Sequence, residues 1–178
     1  MKNFFRGGMI SGILTCLFSG CTSSDEPVGA VRNFDPERYM GRWYEIARLP
    51  HYFERGMDFV QAEYSRNPDG SIRVVNRGIR QGKSRMIVGK AKLKNPRGNP
   101  PTGELRVSFF GPFYSDYRII ELAEDYHYAV VAGSGRNFLW ILSRSPVLAP
   151  AQLQSILERL KESGFAVEKL EYPRQNPE

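Results

Sequence analysis

What most constrains the fold is a series of short runs in which apolar and polar residues alternate, the period of a strand with one buried face. Met86–Lys94 shows it most cleanly: Ile87, Gly89, Ala91 and Leu93 fall on one face, and Lys90, Lys92 and Lys94 share the other with Val88. In Ser71–Ile79, Ile72, Val74 and Asn76 oppose Arg73, Val75 and Arg77. In Glu104–Phe110, Leu105, Val107 and Phe109 gather on one side. Gly41–Arg48, Phe59–Arg66, Tyr114–Leu122, Tyr128–Ala132 and Phe138–Ser143 bring the number of runs to eight. Breakers separate them: Asn67-Pro68-Asp69-Gly70, the Pro- and Gly-rich stretch 95–103, and Gly111-Pro112.

Eight strands with short connections predict an all-β chain, an eight-stranded antiparallel up-and-down β-barrel. Such a barrel has room inside for side chains or one small ligand. The small residues Gly89 and Ala91 on an inward face suggest space left for a ligand. A helical turn at Pro36–Tyr39 precedes the first strand. Beyond the last, Ala151, Leu153, Ile156, Leu157 and Leu160 recur at helical spacing, and Gly164 is a natural stop. Pro150–Ser163 is therefore predicted as one amphipathic helix packed outside the barrel. Phe165–Leu170 reads as a returning strand, and 173–178 as a frayed tail. The barrel with its helix spans 34–172 as one domain.

The N-terminus reads as an address. Lys2 and Arg6 precede an uncharged, apolar stretch from Gly7 to Gly20, too short to span a bilayer as a mature helix. Leu17-Phe18-Ser19-Gly20-Cys21 resembles the lipobox of bacterial lipoproteins, with Phe18 where Leu is usual. That resemblance implies a signal peptide over 1–20, cleavage before Cys21 and lipidation of its thiol. Cys16 would leave with the signal, so Cys21 would be the sole cysteine. Residues 21–33, small and polar, read as a lipidated tether. Thr22 after the cysteine, where Asp would retain a lipoprotein in the inner membrane, implies a lipid anchor in the cell outer membrane with the barrel facing the periplasm.

Composition narrows the chemistry. Two His and two Cys in 178 residues leave little for a metal site or a disulfide framework. There is no G-x-S-x-G, C-x-x-C or H-E-x-x-H, and His51 and His127 are isolated in sequence. The reading is a binding protein, not an enzyme, with no cofactor and no metal. The net charge of +6 is mildly basic. Residues 73–97 hold nine Lys and Arg and no carboxylate, a face that is either simply solvated or meets anionic headgroups. Nucleic acid is no partner for an exported chain.

Three motifs in order carry a family resemblance. Gly41-Arg42-Trp43 resembles the G-x-W motif of lipocalins; Glu124-Asp125-Tyr126 resembles their T-D-Y, with Glu for Thr; and Leu139–Arg144 resembles their strand ending in Arg. With the lipobox, the chain resembles the bacterial outer-membrane lipocalins. The resemblance implies that Gly41, Trp43, Asp125, Tyr126 and Arg144 close the barrel, with a guanidinium over an indole, and are structural. In a meander all of these fall at one end. The opposite end, carrying 49–57, 80–84, 111–114 and 133–136, would be the mouth. There Ala47, Leu49, Tyr114, Tyr117 and Trp140 are the candidate ligand contacts, although strand parity does not orient Tyr117. An apolar interior with a polar rim suits a fatty acid or lysophospholipid. Burying about fourteen methylenes supplies roughly 11 kcal/mol gross, at about 0.8 each, before ordering costs. Two other readings stay open: an envelope lipoprotein acting through protein contacts on its outer face, and a lipocalin-type enzyme. A homodimer is an open assembly state.

Overall fold

A computed structural model describes residues 28–175. The eight strands close on themselves in sequence order, each antiparallel to the next and β8 returning to β1. They are β1 (Gly41–Arg48), β2 (Met57–Arg66), β3 (Ile72–Arg80), β4 (Lys83–Leu93), β5 (Glu104–Phe110), β6 (Phe113–Leu122), β7 (Tyr128–Ala132) and β8 (Leu139–Ser143). β2 and β4 begin two and three residues earlier than alternation alone suggests, because their first residues pair across the β2–β3 and β3–β4 ladders.

Short-range chemistry sets the punctuation. Helix α1 (Pro36–Tyr39) starts where the Asp35 carboxylate accepts the Glu37 N–H at 2.9 Å and Pro36 supplies the first helical φ. The β2–β3 turn is held by Asp69 Oδ1, which accepts the Ser71 N–H at 3.0 Å. Helix α2 (Pro150–Glu162) ends in a Schellman motif: the Phe165 N–H donates to Leu160 O, the Gly164 N–H to Lys161 O, and Gly164 takes φ +81°.

Two apolar clusters result. One fills the barrel, from Phe34, Tyr39 and Trp43 through Ile72, Val74, Leu105 and Ile119 to Leu142. The other lies outside, where Ile156 and Leu160 of α2 cover Val130, Leu139 and Ile141. The helix thus packs on the outer face of β7 and β8, as its apolar stripe requires.

The C-terminus departs from expectation. Phe165–Leu170 forms no strand: Val167–Lys169 is a 3-10 turn, and the return to the sheet comes at Glu171, which bridges to Arg48. Residues 171–175 then lie in the seam between β1 and β2, which pair directly only from Gly41 to Tyr44. The Phe59 N–H donates to Arg174 O at 2.7 Å, and Gln175 Nε2 donates to the main-chain oxygens of Glu45 and Val60 at 2.8 and 2.9 Å. The expected frayed tail is therefore, as far as Gln175, a patch over unpaired backbone groups. The signal and Cys21 lie outside the described residues.

Candidate functional site

The two ends of the barrel differ in chemistry. At one end Arg144 lies over Trp43, its guanidinium carbon 3.9 Å from the ring centre. Its two terminal nitrogens donate to Arg42 O and Arg38 O, both at 2.8 Å. The indole N–H donates to Tyr39 O at 2.9 Å. Gly41, at φ +93°, leaves room for this: a Cβ there would sit 3.3 Å from Arg144 Nη1. Tyr126 accepts the Asp35 N–H at 2.8 Å and lies under Arg38, 4.1 Å from its ring. Gly41, Trp43, Tyr126 and Arg144 come together as a stopper. Asp125 does not join them. Its side chain is exposed and holds the His127 ring and N–H instead, because the turn from Ala123 to Tyr128 points it outward.

Above the stopper three tyrosines fill the bore. The Tyr117 hydroxyl lies 2.7 Å from that of Tyr39 and 2.8 Å from that of Tyr64. Burial pushes Tyr64 up to about 12, and Tyr39 and Tyr117 well above the usual phenol range. All three stay protonated and neutral. Tyr117 does face inward, opposite Leu105, but its hydroxyl is engaged by its two neighbours.

The open end is polar inside. A bulge at Ile46 shifts the β1–β8 register between Glu45 and Ala47. Its consequence is large: Glu45 faces inward on the parity of Trp43, but beyond the bulge it is Arg48 that turns inward, opposite Trp140, while Ala47 and Leu49 join the cluster under α2. Ala47 and Leu49 are therefore not cavity walls, since the inserted residue reverses the parity that alternation assigns them. Arg48, 2% exposed, meets Glu45 Oε1 at 2.6 Å and Glu171 Oε2 at 2.9 Å. Burial pushes the Glu45 carboxyl up to about 8, with Glu54 adding to the rise and Arg48 opposing it.

Trp140 faces inward at the mouth, and its indole N–H donates to Glu54 Oε2 at 3.0 Å. His51 stacks on Phe53, with centroids 3.9 Å apart, and sits 5.2 Å from Trp140. Its Nε2 is 2.9 Å from Glu54 Oε2 but off line, so neither ring nitrogen makes a hydrogen bond. Asn76 Oδ1 and Arg80 Nε, on the inward parity of β3, are also buried without a partner. Alternation puts Asn76 on the face of Ile72 and Val74, and Arg80 shares that parity, but His51 and Glu54 lie in the β1–β2 connection, where strand period says nothing and the local signal is the aromatic and charged crowding of His51–Arg55.

Two further expectations change. Tyr114 shares the parity of Asp116, not Tyr117, and lies outside the barrel beside Lys92, Lys94 and Arg106. Gly89 does not open space, because the Phe109 ring already stands 2.7 Å from where its Cβ would be.

Residues 34–175 match the lipocalin-like domain family model. The chain is 44% identical over 163 residues to the outer membrane lipoprotein Blc of Citrobacter freundii, covering 89% of this chain and 90% of that protein. This chain belongs to the lipocalin family. Its likeness to Blc of Escherichia coli K12 is 42% over the same shares, and to mouse apolipoprotein D 35%, covering 78% and 75%. Among solved structures, insecticyanin of the tobacco hornworm Manduca sexta matches with a TM-score of 0.71 at 21% identity, covering 85% of this chain and 86% of that one. For this lipocalin the similar outer membrane lipoproteins support an outer-membrane location.

Proposed function

We propose that the protein binds a single acyl-chain lipid, a fatty acid or lysophospholipid, through the open end of its barrel while anchored to the outer membrane by a lipidated Cys21 and facing the periplasm. The observation that carries the reading is the set of buried polar atoms without a hydrogen bond at the open end, His51 Nδ1, Asn76 Oδ1 and Arg80 Nε, beside a His51 Nε2 that meets only the Glu54 carboxylate. An unbonded buried polar group costs about 1–3 kcal/mol, so a protein that keeps several at one opening gains by receiving a polar headgroup there. The outer membrane lipoprotein relatives support a lipid as that ligand. Membership of a family of binding proteins, with no catalytic motif in the sequence, supports binding without catalysis.

Trp140 and His51 are the contacts to test at the mouth. Displacement of a fluorescent fatty-acid probe by lysophosphatidic acid, followed in the wild type and in His51→Leu and Trp140→Phe, is the direct measurement. The expected result is saturable displacement, weakened about tenfold in the variants with the melting temperature retained. Absence of displacement in the wild type would sink the proposal.

A further inference from the structure

Every connection at the open end carries an exposed apolar side chain: Tyr52 and Phe53 between β1 and β2, Ile79 and Met86 flanking the β3–β4 turn, Phe110 and Phe113 at the β5–β6 tip, and Phe138 before β8. Phe110 and Phe113 are direct cross-strand partners, 74% and 79% exposed. No described residue covers them. Met86 and Val88 are likewise exposed on β4, 63% and 43%. Scattered apolar residues are ordinary on a surface; a contiguous rim is not.

The charges around this rim are mostly positive. Arg55 and Arg136 in the connecting segments and Arg80, Lys83 and Arg85 at the adjoining ends of β3 and β4 stand against two carboxylates, Glu54, which is buried inside, and Asp58, which pairs with Arg174. Lower on the same outer face, Lys92, Lys94, Arg106 and Tyr114 line a shallow cleft of about 420 Å³. Lys94 is paired with Asp116, which also stands directly opposite Arg106 in the β5–β6 ladder; Lys92 faces Arg106 across β4–β5 and carries no ion pair among the described residues. Like charges directly opposite are unfavourable unless something anionic meets them. Exposed aromatic tips flanked by Lys83, Arg85, Lys92 and Arg106 suit a membrane interface, where apolar side chains enter about 5–10 Å and cations meet the phosphates.

We propose that the open rim docks mouth-down on an anionic lipid bilayer, with Phe110 and Phe113 inserted and Lys83, Arg85, Lys92 and Arg106 at the headgroup level. A ligand would then pass between bilayer and barrel without crossing water. The tether permits this, on the proposed lipidation of Cys21. The Val31 N–H is fixed to Ile119 O at 2.8 Å, and Ile119 is six residues below Phe113 on β6, about 20 Å along the strand. The ten residues from Cys21 to Val31 reach about 33 Å when extended, so the anchor and the rim can share one membrane surface.

The test uses the full chain reconstituted in phosphatidylcholine vesicles containing about one-third phosphatidylglycerol, with and without bromine on the acyl chains. Phe113→Trp places a reporter on the rim, and Pro68→Trp places one on the β2–β3 turn at the stoppered end. The expected result is at least twofold quenching of the emission added by Phe113→Trp and none of that added by Pro68→Trp. Adding K83E and R85E to the rim reporter, or omitting phosphatidylglycerol, should restore half or more of the lost emission. Equal quenching at the two positions overturns the proposal. So does absent quenching at Phe113→Trp, including the case where sedimentation shows the rim occupied by a second copy. Fatty-acid displacement on the same samples reports the interior separately, so failure to dock and failure to bind a ligand are distinguishable.

Discussion

The two ends of this barrel are built from the same kinds of residue and put to opposite uses. At the stoppered end aromatic rings and guanidinium groups satisfy one another: Trp43, Tyr39, Tyr126, Arg38 and Arg144 are all bonded or stacked. At the open end the rings of Tyr52, Phe110 and Phe113 stand in solvent, and His51, Asn76 and Arg80 keep buried polar atoms unbonded. Stability therefore concentrates at one pole and unspent interaction capacity at the other. Substitutions should separate along that line.

Arg144→Ala should have the largest effect on stability. It removes a cation–π contact worth about 0.5–2 kcal/mol and two charged hydrogen bonds to main-chain oxygens, so a loss of about 3 kcal/mol is expected. For a chain of this length that lowers the melting temperature by roughly 6–12 °C. Ligand affinity measured below the transition should hold; affinity falling more than stability would break the comparison.

Tyr117→Phe comes next. It strips the hydroxyls of Tyr39 and Tyr64 of their shared partner, and a chemical-denaturation midpoint should report a loss of about 2 kcal/mol.

Glu45→Gln sharpens the contrast through pH. The folded-state pKa of Glu45 is raised from 4.5 to about 8, chiefly by burial. Between those values the folded protein keeps a proton that the unfolded chain has released, so stability falls as pH rises through that window. The variant should flatten that part of the stability–pH curve; an unchanged slope would mean that Arg48 keeps Glu45 ionised.

Asp125→Ala should do least. The carboxylate bonds only within its own exposed turn, and an unchanged melting temperature is expected. A large drop would return Asp125 to the stopper.

The stopper was legible in the sequence because it depends on motifs whose spacing survives folding. Gly41, Trp43, Tyr126 and Arg144 sit at strand ends, where the rule that alternate turns share a pole is enough to bring them together. The mouth was less legible. Ala47 and Leu49 were placed on the wrong side by one inserted residue at Ile46. Tyr114 was placed inside although it stands on the outward parity of Asp116. A strand with apolar residues on both parities gives no local sign of its inward face.

By itself the sequence determined the number of strands, their antiparallel order, the helix on the outside and that Trp43, Tyr126 and Arg144 share one end; that this end is the closed one was what the resemblance to lipocalins implied. The rest follow from period, turn chemistry and chain order, which are local properties. Only the tertiary structure decided that Arg48 is interior and meets Glu45, that three tyrosines share hydroxyls across the bore, and that residues 171–175 complete the β1–β2 seam. Each of those depends on a register or on a partner distant in sequence. A one-residue shift that exchanges a strand's two faces leaves composition and average hydropathy unchanged, so it becomes visible only once the neighbouring strand is in place.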